Sequence, residues 1–101
     1  MKEFEEIIAR KVRPIHPGEV IEDILEELEI SQTKFAEILG VSYSTLNDII
    51  QVKKQITVDL SIRLGKALGN GPQLWLNLQQ KVELWDALQN PEEYNKVMTV
   101  V

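Results

Sequence analysis

The chain has 101 residues, which suits one domain with a modest core. Its 44% hydrophobic and 27% charged residues are those of an ordinary globular protein, and no apolar run approaches the roughly 20 residues that cross a bilayer. Cysteine is absent, which excludes disulfides, thiolate metal sites and cysteine nucleophiles, and the acidic opening Met1-Lys2-Glu3-Phe4-Glu5-Glu6 is unlike a secretory signal, so a cytoplasmic protein is expected.

The net charge of −5 is unevenly spread. Residues 1–30 hold nine acidic and four basic side chains, and residues 70–101 hold four against two. Between them, residues 31–69 hold five basic residues (Lys34, Lys53, Lys54, Arg63, Lys66) and three acidic ones. A polyanion such as DNA would meet the least repulsion there.

Residues 1–13 read as an N-terminal extension with Phe4, Ile7 and Ile8 on one helical side. Proline at 14 disfavours helix before it. His16-Pro17-Gly18-Glu19 then opens a first helix: His16 caps it, proline suits a first position whose N–H would be unpaired anyway, and Glu19 faces the positive end of the dipole. Val20, Ile21, Ile24, Leu25 and Leu28 recur at helical spacing as its inner side, against Glu22, Asp23, Glu26, Glu27 and Glu29 outside.

Ser31 is an N-cap for a second helix with Phe35, Ala36, Ile38 and Leu39 inward, ended by Gly40 in a left-handed conformation. Ser42 caps a third helix with Leu46, Ile49 and Ile50 inside. Thr57 caps a fourth carrying Leu60, Leu64, Ala67 and Leu68, closed by Gly69. A fifth helix runs from Pro72 to about Leu88 and stops before Asn90-Pro91, leaving 89–101 as a C-terminal tail. The expected fold is all-α, with five helices and the main domain at 14–88.

Residues 32–51 carry the most specific pattern. Two short helices meeting through a tight turn need a small residue where they approach, a glycine in the turn and an apolar seam. Ala36, Gly40 and the set Phe35, Leu39, Val41, Leu46 and Ile49 supply them, which predicts a helix-turn-helix. The second helix of such a motif lies in the major groove. Ser42, Tyr43, Ser44, Asn47 and Asp48 are left to face outward; Asn can pair with adenine and Asp can accept from cytosine. Gln32 and Thr33, at the start of the preceding helix, suit phosphate contact. Lys53 and Lys54 are either phosphate clamps or a solvated loop.

The fifth helix has more apolar surface than one face needs. Leu74, Trp75, Leu78, Val82, Trp85 and Leu88 form one broad stripe, and Leu76 and Leu84 lie on another side. Deep burial would explain this, and so would a homodimer interface through Leu76, Leu84 and Trp85. His16 is the single histidine and has no ligand partners near it, so no metal or cofactor is expected. The carboxylates of the first helix read as a solvated face, and nothing suggests an enzyme.

The segments Pro14-Ile15-His16-Pro17-Gly18-Glu19-Val20, Leu28-Glu29-Ile30-Ser31-Gln32-Thr33, Leu39-Gly40-Val41-Ser42, Ile56-Thr57 and Leu64-Gly65-Lys66-Ala67-Leu68-Gly69 resemble HigA-type antitoxins of the Xre, phage-repressor-like superfamily. The string Pro72-Gln73-Leu74-Trp75-Leu76-Asn77-Leu78-Gln79 resembles this subgroup in particular. The resemblance implies a dimeric protein that binds double-stranded operator DNA, represses its own operon and neutralises a RelE-like ribonuclease toxin of that operon. A free-standing transcriptional regulator is the alternative, and a toxin-binding protein without DNA contact is a third reading. The chain departs from its apparent relatives at Tyr43 and Asp48, where they carry basic residues, and at Gln51-Val52, where they carry Asn-Gly.

Overall fold

The computed structural model describes residues 13–101, and every regular element in it is helical. The elements are α1 (Pro17–Leu28), α2 (Gln32–Leu39), α3 (Tyr43–Ile50), α4 (Val58–Leu68), α5 (Pro72–Leu88) and α6 (Glu92–Asn95). Five stand where the sequence places them, and the short α6 interrupts the stretch expected to be a tail. The extension bearing Phe4, Ile7 and Ile8 lies outside the described residues.

Local chemistry sets most boundaries. The Nδ1 of His16 accepts the Gly18 N–H at 2.9 Å, and Pro17 takes the first helical position of α1. The hydroxyl oxygens of Ser31, Ser42 and Thr57 each accept an N–H three residues on, at 3.1 Å, so α2, α3 and α4 begin on side-chain caps. Gly40 and Gly69 end α2 and α4 in left-handed conformation, both with φ 74°. The end of α1 has no glycine. Glu29 takes that role with φ 57°, which a non-glycine residue adopts at some cost.

The core is continuous through α1 to α5. Ile21 and Leu25 of α1, Phe35, Ala36 and Leu39 of α2, and Leu46, Ile49 and Ile50 of α3 join Ile56, Leu60, Leu64 and Trp75. Burial of such aliphatic and aromatic side chains contributes about 1.5–3 kcal/mol each. Two expectations fail at the rim. Leu28 is 52% exposed and Ile38 is 51% exposed, because α1 and α2 each present a narrower buried stripe than their apolar residues cover.

On α5 the buried line is Trp75, Gln79 and Val82, so Leu74, placed by periodicity on the main stripe, is turned outward. A glutamine at the centre of that line has a definite task. Its Oε1 accepts the Ile56 N–H at 2.9 Å and its Nε2 donates to Glu83 Oε1 at 3.3 Å, so the buried amide is satisfied. Trp75 is fully buried and its indole N–H donates to Asn70 Oδ1 at 3.0 Å. Packing is most extensive between α4 and α5, where Gly65 lies so near Gly71 and Pro72 that a Cβ would overlap their backbone.

Arg13 joins the segment before α1 to the far end of α5. Its Nε and Nη2 donate to the two carboxylate oxygens of Asp86 at 2.8 and 2.7 Å, a bidentate pair. That hydrogen bonding raises the Arg13 pKa and lowers the Asp86 pKa.

Candidate nucleic-acid interface

The turn between α2 and α3 is closed from within. The Gly40 N–H donates to the Glu37 carbonyl and the Val41 N–H to the Ala36 carbonyl, both at 3.1 Å. The first turn of α3 is then fixed by Ser42, whose Oγ accepts the Thr45 N–H and whose hydroxyl donates to Thr45 Oγ1 at 2.8 Å. A long-range contact braces the same turn. Arg63 of α4 donates through Nη1 to the Leu39 carbonyl at 2.9 Å, and through Nε to Asp59 Oδ2 at 2.8 Å. A cation on the C-terminal carbonyls of α2 also suits the dipole of that helix.

The seam follows from burial. Phe35, Ala36 and Leu39 of α2 and Leu46 and Ile49 of α3 are buried, and Val41 packs half-buried beside them. Gly18 sets how close α1 comes. A Cβ there would collide with the carbonyl oxygen of Ile49, so the start of α1 rests directly on the last turn of α3.

This packing leaves one face of α3 outward. Ser42, Tyr43 and Ser44 are exposed, and Asn47 and Asp48 are half-buried on the following turn. Thr33 is exposed at the first turn of α2. Gln32 beside it is half-buried, and its Oε1 is buried with no hydrogen-bond partner among the described residues. Thr45, absent from the set read from sequence, is half-buried and belongs to the Ser42 cap. The spacing of Ser42 and Thr45 carries that signal. The bracing role of Arg63 was not legible in the sequence, because the carbonyls it meets stand 23 and 24 residues away and only Asp59 is a local partner.

Beyond α3 the chain doubles back. The N–H groups of Lys53 and Lys54 both donate to the Asp48 carbonyl, at 2.8 and 3.2 Å. This reversal requires Val52 at φ 61°, the left-handed region that a β-branched residue rarely enters. The fold-back brings Lys54 Nζ to 3.3 Å from Asp48 Oδ2. Lys34 pairs with Glu37 at 3.8 Å, while Lys53 is exposed and in no ion pair among the described residues. The three residues singled out for a subunit contact, Leu76, Leu84 and Trp85, are all half-buried on α5.

A helix-turn-helix family model matches residues 21–75, more than half of the chain. The antitoxin HigA-1 of Vibrio cholerae is 37% identical over 87 residues, which are 85% of this chain and 82% of that protein. A crystal structure from Nostoc punctiforme, of a candidate antidote protein of a plasmid maintenance system, shares 67% identity with TM-score 0.79. It matches over 89% of this chain and 100% of its own. The Pseudomonas aeruginosa antitoxin HigA, solved with the higBA promoter, shares 36% identity with TM-score 0.80, over 88% of this chain and all of that one. The chain thus belongs to the helix-turn-helix superfamily, in its branch of HigA-type antitoxins.

Proposed function

We propose that the protein is the antitoxin of a type II toxin–antitoxin pair. As a dimer it binds the operator of its own operon, represses that operon, and neutralises a RelE-like ribonuclease toxin encoded there, all in the cytoplasm. The observation that carries the reading is an exposed, hydrogen-bonding α3 in a chain whose relatives include antitoxins, one of them solved with its promoter.

On this reading α3 enters the major groove. Tyr43, Ser44, Asn47 and Asp48 face base edges, with Ser42 beside them and its hydroxyl engaged by the cap. Gln32 and Thr33, with the free N–H groups opening α2, meet phosphate, as do Lys53 and Lys54. The second copy docks through α5 at Leu76, Leu84 and Trp85. Past Val82 no described residue is buried within its own chain, which leaves apolar surface for a partner. The exposed carboxylates Glu22, Asp23, Glu26, Glu27 and Glu29 give α1 a surface complementary to a ribonuclease, which must be basic to hold RNA.

The test has two arms. Gel shifts with the promoter fragment should give a defined complex with the purified protein, weakened at one base pair by about 1–3 kcal/mol on Asn47→Ala. If a small basic toxin is encoded beside the gene, co-expression should restore growth to cells making it. A shift without rescue would make the protein a free-standing regulator, and rescue without a shift would leave only toxin binding.

A further inference from the structure

We infer that Asp48 is a specificity-determining residue that acts by controlling whether Lys54 can reach phosphate. The inference rests on the DNA-binding reading above and adds a division of labour between the two adjacent lysines. Three observations place the residues together. The Asp48 carbonyl accepts both the Lys53 and Lys54 N–H groups, Val52 makes the reversal in left-handed conformation, and the Lys54 ammonium ends 3.3 Å from the Asp48 carboxylate. Lys53, one residue earlier, is exposed and unpaired among the described residues.

The consequence is electrostatic. A carboxylate on the outward face of α3 would be repelled by phosphate if it stood alone. Paired with Lys54 it is neutralised, and Lys54 is withdrawn from the cations available to the backbone. Duplex with no cytosine opposite Asp48 therefore meets Lys53 but not Lys54. A cytosine opposite Asp48 changes the balance, because its N4 amino group donates to a carboxylate and can take the place of the ammonium. Lys54 is then released to a phosphate oxygen. One base pair is thereby read twice, through the hydrogen bond to cytosine and through the additional phosphate contact.

Asp48 is half-buried with its side chain about one helical turn from Ser44, so it shares the outward face rather than the seam. The main-chain bonds of the loop do not involve its carboxylate. Asp48→Asn therefore removes the charge and leaves the carbonyl that holds the loop.

The experiment measures affinity against salt concentration for the full chain. The duplexes are the promoter fragment, a random-sequence duplex of equal length built only from A·T pairs, and a promoter series with each C·G pair changed to T·A. The proteins are the wild type, Lys53→Ala, Lys54→Ala, Asp48→Asn and the Asp48→Asn/Lys54→Ala double variant. On random duplex, Lys53→Ala should flatten the log–log slope by about 0.9 and Lys54→Ala should leave it unchanged. Asp48→Asn should steepen that slope by about 0.9 and tighten random-sequence binding roughly fivefold at about 0.1 M salt, with the double variant reversing both. On the promoter, Lys54→Ala should flatten the slope, and one C·G replacement should reproduce that loss in the wild type but not in Asp48→Asn.

A flattened random-duplex slope for Lys54→Ala would overturn the inference, since Lys54 would already be on phosphate. An unchanged slope for Asp48→Asn, or a promoter series with no position that depends on Asp48, would overturn it too. In each of those outcomes the wild type still binds the promoter. Absence of any promoter complex would instead defeat the DNA-binding reading on which the inference stands.

Discussion

Val52 sits at φ 61° and is partly exposed, so little packing compensates for its backbone. A left-handed conformation costs an L-residue about 1–2 kcal/mol, and glycine is free of that cost. Val52→Gly should therefore raise stability by about 1 kcal/mol, read as a higher urea midpoint with an unchanged slope. His16 makes the stability depend on pH. Burial of its ring, and then the positive charge of Arg13, hold its pKa below the ordinary 6.5. Its Nδ1 must also stay unprotonated to accept the Gly18 N–H. The unfolded chain takes up the proton first, so this contribution is complete above pH 6.5 and is lost as the pH falls through the lowered folded value. Urea midpoints measured down the pH scale should fall in that window. His16→Asn, which keeps an acceptor for Gly18, should start less stable and lose less there.

Among the elements, the sharpest constraint on α3 comes from Gly18. A methyl group at that position meets the Ile49 carbonyl, so Gly18→Ala must push α1 off the last turn of α3. Overpacking of this kind costs about 1–3 kcal/mol. Promoter affinity should drop along with thermal stability. The helix boundaries were legible in the sequence because caps are local: His16, Ser31, Ser42 and Thr57 each bond an N–H two or three residues away. What stayed hidden depends on distant partners or on conformations without their usual residue. Glu29 and Val52 do the work of glycines, so no letter marked those turns. Gln79 is buried because the Ile56 N–H needs an acceptor, and periodicity counts it as polar. Within the candidate interface the outward set on α3 followed from the seam. The Asp48–Lys54 pair did not, because it exists only once Val52 has turned the chain back.

At the scale of the whole molecule, α5 reaches the buried interior as far as Val82, and beyond it the helix carries half-buried Leu84, Trp85, Ala87 and Leu88. Leu84→Glu would place a carboxylate on the surface proposed to hold the second copy, at a position the monomer buries only in part. Sedimentation should then show a folded monomer where the wild type is a dimer, with promoter affinity reduced because two half-sites no longer act together. A wild type that sediments as a monomer at micromolar concentration would remove the α5 interface. The bidentate clasp between Arg13 and Asp86 spans 73 positions of sequence, in a fold otherwise built largely from neighbouring helices. Contacts that span so much chain are expensive in loop entropy and form after the local ones. Arg13→Ala should consequently leave the refolding rate almost unchanged and accelerate unfolding, so that one limb of the chevron moves and the other stays. The clasp would then govern how long a folded molecule lasts rather than how quickly it is made.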